Sequence, residues 1–173
     1  MANFGTRLVL FLSSYAPLFL IFAVKQYPHS HKVSLIFSLV AVISLVVLTV
    51  FIKTFKSLAP SDITVKDHSS KDGDSMSYIV TYLVPFLDIK FDQIENVIGL
   101  LITLVVLGVL YVNSNMIYTN PVLNLAGYHI FDIHTSEERP MVLVTRRSFL
   151  KSGMELRIVL MGDYAGIEVR DDS

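Results

Sequence analysis

"SYIVTYLVPFLDI", residues Ser77 to Ile89, is apolar enough to enter a bilayer but short for crossing one, and Pro85 sits near its end. The uncharged run from Ser75 to Leu87 makes ~20 Å of helix, against a hydrocarbon core of ~30 Å. The segment can span, dip in and return, or belong to a soluble core. The choice decides which side of a membrane the C-terminal tail occupies, and so which partners it can meet.

The surroundings favour a membrane. Of 173 residues, 53% are hydrophobic and 17% charged, and the apolar residues fall in blocks. This is the composition of a small integral membrane protein. A net charge of −1 leaves no nucleic-acid footprint. With no cysteine, disulfides, thiolate metal sites and cysteine nucleophiles are excluded; with no tryptophan, an aromatic belt must rest on Tyr and Phe.

Upstream, Leu8–Val24 is an apolar run with Ser13, Ser14, Tyr15 and Pro17 inside it. One positive charge before it also fits a signal peptide. The run continues into Lys25-Gln26-Tyr27-Pro28 without a small-x-small cleavage site, so it is read as a mature span. Its serines are expected to bond backbone carbonyls and Pro17 to kink the helix; the sharper reading turns those hydroxyls toward another helix or a polar cavity. Val33–Ile52 is a second, uncharged span closed by Lys53 and Lys56. Lys56–Asp74 reads as a mobile mixed-charge loop, with four lysines and four aspartates counted from Lys53 to Asp74. Downstream, Val97–Val112 is the last strongly apolar run. After Asn120-Pro121 and Gly127 the periodicity switches to two. From Tyr128 the chain reads as about four short antiparallel strands, a unit too small to bury much core alone.

Counting Lys and Arg settles the opening question at this level. If Ser77–Ile89 spans, one side holds Arg7, Lys53, Lys56, Lys66, Lys71 and six tail residues, and the other only Lys25, Lys32 and Lys90. If it re-enters, the asymmetry almost vanishes. The positive-inside rule therefore favours spanning, with both termini cytoplasmic. Asp88, Asp92 and Glu95 suit an outer surface, with Phe91 and Ile94 dipping into the outer leaflet. A short helix can cross by thinning the bilayer or by oligomerising.

No chemistry emerges. His29 and His31 sit in a polar turn without a carboxylate. Asp72-Gly73-Asp74 lacks the ladder of a calcium loop. His129 lies on the opposite strand face from Asp132 and His134. No charge lies inside a span, which argues against a transporter or pump. No nucleophile constellation or phosphate loop is present. Arg146-Arg147, the most basic point of the tail, suits a headgroup or a protein partner better than DNA.

The order of features is more specific than any one motif. "SYIVTYLVPFLDI", then a span, then "YTNPVLNLAGYHIFDI" and "VLVTRRSFLKSGMELRIVLMGDYAGIEV" resemble the membrane subunits of the Kiwa anti-phage system, or a broader family of four-span bacterial proteins with the same tail. The likeness covers roughly Ser75 to Val169. It implies a homo-oligomeric inner-membrane protein without enzymatic activity or cofactor, which monitors the envelope during infection. It further implies a cytoplasmic, DNA-binding effector as partner, which blocks phage replication and late transcription.

The expectations are then definite. The fold is four transmembrane helices (about 8–24, 33–52, 75–88 and 97–113) within a domain 1–118, a linker 119–127, and a β-rich cytoplasmic tail 128–173. No catalytic, metal or cofactor residues are expected. Asn120, Pro121, Gly127 and Tyr128 are the candidate coupling residues, and Arg146 and Arg147 the candidate partner or headgroup contacts. The lipid bilayer is a partner, and direct nucleic-acid contact is not expected. The function is a sensor and scaffold that controls an effector; the alternative is a pore-forming or membrane-perturbing oligomer.

Overall fold

Three helices open the chain: α1 (Phe4–Ser14), α2 (Ala16–Gln26) and α3 (His31–Lys56). Strand β1 (Ser61–Ser70), the short helix α4 (Asp72–Tyr78) and helix α5 (Ile94–Asn113) follow. Helix α6 (Pro121–Leu125) leads into β2 (His129–Thr135), β3 (Pro140–Thr145), β4 (Glu155–Leu160) and β5 (Ala165–Glu168). These elements come from a computed structural model, which describes residues 4–78, 84, 86, 89–91, 93–113, 120–162 and 164–170.

Hydropathy builds the helical layer. Arg7–Gln26, His31–Lys56 and Ile94–Tyr111 are each long and apolar enough to cross a membrane. The first is broken at Tyr15, whose N–H reaches back to the Leu12 carbonyl at 3.3 Å. Pro17 supplies the reason, since it has no N–H for the preceding turn. The Ser13 and Ser14 hydroxyls donate to the carbonyls of Leu10 and Phe11 at 2.9 and 2.6 Å, as the kink reading expected. Half of this broken helix is buried, against 17% of α3 and 11% of α5. α1–α2 is therefore the centre of the layer. α3 and α5 turn Leu35, Ile36, Ile43, Ile102, Val105 and Val109 outward. An outward apolar face that long is stable against lipid or protein, not water.

α5 runs against α1, with Phe11 seated over Gly108; a Cβ there would lie 3.1 Å from the Phe11 ring. α2 and α3 form a hairpin fastened by Ser34, whose hydroxyl donates to the Ala23 carbonyl at 2.7 Å. Phe91 packs on Phe22 and Phe37, with ring centroids 4.9 and 5.4 Å away.

The strands close into a barrel in the order β1-β2-β3-β5-β4. β1 performs the closure: Ser61–Thr64 pair with β4, and Val65–Ser70 pair with β2 across a bulge near Val65. Such a bulge bends the strand and lets it serve two neighbours. β3 and β5 pair in parallel; the other neighbours are antiparallel. The two sides of each strand divide the labour. Val65, Phe131, Ile133, Leu143, Leu156 and Ile158 fill one core. Ile130, Val142, Val144, Val159 and Ile167 join a second, which runs through Leu123 and Tyr128 into Leu10, Phe11 and Leu18 of the helices. Barrel and helices thus share apolar packing.

Several expectations are corrected here. A four-helix membrane protein with a small antiparallel β unit is not what forms. The described residues contain three helices of spanning character and a closed five-stranded barrel with one parallel pair. The tail does supply β2–β5, but the barrel needs β1 from the supposed mobile loop. The proposed third span, 75–88, begins instead inside α4, which starts at Asp72 and packs on α6 and β2. The rest of that segment, including Pro85, lies mostly outside the described residues. Its ends are placed: Tyr78 closes a helix beside the barrel, while the Ile89 carbonyl lies 3.4 Å from Lys25 Nζ at the opposite end of the layer. Phe91 does not dip outward but packs inward; Ile94 is exposed.

Candidate functional site

The junction between helices and barrel concentrates the buried polar chemistry. Asn120 is its centre and has no exposed surface. Its carboxamide oxygen accepts the Val122 N–H at 3.0 Å, capping α6, and Pro121 takes the first turn, where its missing N–H costs nothing. Its Nδ2 donates to the Leu10 carbonyl at 3.0 Å and to Ser13 Oγ at 2.8 Å. One side chain therefore holds the start of the barrel segment onto α1, one turn before the kink. The sharper reading of the mid-helix hydroxyls is met as well: Ser13 faces a polar partner from another element.

Helix α6 ends in a Schellman arrangement. Tyr128 N–H donates to the Leu123 carbonyl at 2.9 Å and Gly127 N–H to that of Asn124 at 3.0 Å. The φ of +77° at Gly127 is what requires glycine. Tyr128 is buried between elements, with Lys56 Nζ 5.1 Å and the Arg146 guanidinium 5.0 Å from its ring centroid. Both are within cation–π reach. Tyr128 thus joins the end of α3 to the loop after β3.

Arg146 and Arg147 separate. Arg146 is exposed beside Tyr128. Arg147 Nε donates to Glu168 Oε1 at 2.7 Å, and its backbone N–H to Thr145 Oγ1 at 2.9 Å. Thr145 donates in turn to the other Glu168 oxygen. The Glu168 side chain is 3% exposed, so this ring of bonds neutralises a buried carboxylate. Asp72 does comparable work at the entry to β2, accepting the Ile130 N–H at 3.0 Å and facing His129 Nδ1 at 2.7 Å. In the sequence, Lys56 stands only as the end of a span and Asp72 only in a rejected calcium loop, and Glu168 does not stand out, because each meets its partner only across distant chain. His31 Nδ1 lies 2.8 Å from the Tyr27 carbonyl and its ring stacks on Tyr27. Among the described residues no three metal-ligating side chains converge.

The arrangement forms a joint in the packing: a buried amide, an apolar seam and a tyrosine between two cations, where a helical layer meets a barrel. A family model described as anti-phage protein KwaA matches residues 6–167. The chain belongs to the KwaA family. The match takes in the helices, the joint and the barrel together. A curated relative, the Kiwa protein KwaA of Escherichia coli O55:H7 (strain RM12579 / EPEC), is 29% identical over 65 residues. That alignment covers 38% of this chain and spans about a third of the relative, 33% of its length. No solved structure matches the chain. Family membership supports a role in anti-phage defence.

Proposed function

We propose that this chain is a non-enzymatic sensor and scaffold of anti-phage defence. It sits in the bacterial inner membrane as a homo-oligomer, with the barrel and both termini in the cytoplasm, and it controls a cytoplasmic effector. The observation that carries this reading is the joint at Asn120. A tilt of the kinked helix moves Leu10 and Ser13, and Asn120 passes that displacement to α6, Tyr128 and the barrel. Membership of an anti-phage family supports the setting. The outward apolar faces of α3 and α5 support a lipid environment. Eleven of the fourteen Lys and Arg residues lie toward the barrel end, and this supports a cytoplasmic barrel.

The test is a topology reporter fused after Ser173, combined with a phage-protection assay of Asn120→Ala. A cytoplasmic reporter and an abundant variant that no longer protects are the expected results. An external reporter removes the cytoplasmic-effector model. Full protection by Asn120→Ala at normal abundance removes the coupling role of the joint.

A further inference from the structure

The uncharged part of α3, Val33–Ile52, is ~30 Å long and matches a hydrocarbon core of ~30 Å. Lys53 and Lys56 stand just beyond it, on the barrel side. Leu39, Ile43, Val46 and Val50 are exposed at alternating spacings of four and three, which makes one outward stripe. Lys53 continues that stripe and is exposed; Lys56 is its neighbour one turn on.

A third cation meets the end of the stripe from the barrel. Lys56 Nζ and the Arg146 guanidinium both address the Tyr128 ring, at 5.1 and 5.0 Å from its centroid. Other basic side chains at this end of the barrel are already matched. Arg147 and Arg170 share Glu168, and Lys71 lies near Asp74 and Asp132. Lys53, Lys56 and Arg146 have no carboxylate at ion-pair distance among the described residues, and none has a further polar partner. A tyrosine ring attracts a cation by its face but carries no net charge. Uncompensated positive charge therefore gathers where an apolar stripe leaves the membrane layer.

The geometry points to a site for one anionic phospholipid, with an acyl chain along Leu39–Val50 and the phosphate between Lys53, Lys56 and Arg146. This rests on the membrane reading proposed above. The argument is complementarity along one molecule. A soluble anion meets the cations and leaves the stripe unused, and a zwitterionic lipid brings no net negative charge to them. The headgroup also touches the joint. Two of its three cations are those that flank Tyr128, so the lipid charge of that leaflet bears on the packing of α3 against the barrel.

The chain has no tryptophan, so Val50→Trp gives a single indole on the stripe. The full chain carrying it is reconstituted in vesicles of equal phosphatidylglycerol and phosphatidylcholine, with bromine on the acyl chains of one lipid or the other. Brominated phosphatidylglycerol is expected to quench more strongly, with a relative binding constant of about ten-fold. Ile36→Trp, at the other end of the same helix, should show no preference. Lys53→Gln combined with Arg146→Gln should bring the preference at Val50→Trp close to parity, with helix content unchanged. Lys66→Gln combined with Lys151→Gln, which removes as much charge elsewhere on the barrel, should leave it in place. Equal quenching by the two lipids at Val50→Trp overturns the proposal, and so does an equal loss of preference in the Lys66 and Lys151 variant, because the attraction is then general. Loss of the preference in inorganic phosphate, but not in chloride of the same ionic strength, would make this a site for the free anion and overturn it. Absence of quenching by either lipid, with Val50→Cys cross-linking between copies, would place a second chain on the stripe and also overturn it. Release of the protein from membranes by alkaline carbonate would defeat the membrane reading itself; equal quenching in a carbonate-resistant chain defeats the lipid site alone.

Discussion

At Asn120 a single carboxamide makes three hydrogen bonds without exposed surface, two of them to a helix more than a hundred residues upstream. Alanine there takes a buried donor from Ser13 Oγ and from the Leu10 carbonyl, which keeps its bond from the Ser13 hydroxyl, and removes the cap of α6. The expected loss is ~2 kcal/mol of stability, measured by denaturant titration in detergent. Asn120→Asp should cost more, since it puts a charge where water is absent. Glu168 presents the converse case. Glu168→Ala strips a nearly buried site of the group that holds Arg147, Thr145 and the end of β5. About 2 kcal/mol is expected, less than for a fully buried pair because Arg147 is partly solvated. At Gly127 nothing lies within 4 Å of an added Cβ, so Gly127→Ala should cost only the backbone strain of a positive φ, ~1 kcal/mol.

Among the elements, β1 has the largest consequence for its hydrophobicity. Only Val65 of its ten residues is fully buried, yet the strand closes the barrel by pairing with β2 and β4 in succession. Val65→Asp should open the barrel at that seam. Hydrogen exchange should then accelerate at the amides of β2 and β4 that face β1, while α3 and α5 stay protected. Uniform exchange throughout would mean that barrel and helices unfold as one unit. Within β5, Gly166 marks the other packing limit. A Cβ there would meet Ile158 Cδ1 at 2.9 Å, so Gly166→Ala should force the β4 and β5 side chains apart and lower the barrel's melting temperature.

For the molecule as a whole, the barrel imposes a condition on any membrane arrangement. β1 precedes α5 and β2–β5 follow it, so loop and tail share one side. Lys66 and Glu138 form an exposed ion pair at 2.8 Å between the two. The chain lacks cysteine, so single substitutions report cleanly. Lys66→Cys and Glu138→Cys should react with a membrane-impermeant maleimide from the same side, and Lys32→Cys, in the first turn of α3, from the other. Labelling of Lys66→Cys and Glu138→Cys from opposite sides would be incompatible with a closed barrel.

The apolar character of three helices, the kink at Pro17 and the places of β2–β5 were legible in the chain itself. Each depends on residues within a turn or two: a hydrophobic run, a proline, an alternation bounded by Gly153 and Gly162. β1 was not legible, because "SDITVKDHSS" is polar and its partners lie 61 to 97 residues away. Arg147 read as a candidate partner or headgroup contact, and its bond to Glu168 was not legible for the same reason; Glu168 reaches it only when β3 and β5 pair in parallel. Asn120 was recognised as a turn and a candidate coupling residue, but its hold on Leu10 and Ser13 exists only once α6 docks on α1. Local periodicity and backbone chemistry are properties of neighbouring residues, and the sequence determines them. Barrel closure, the neutralised carboxylate and the buried joint require distant segments to meet, and only the tertiary structure decides which ones do.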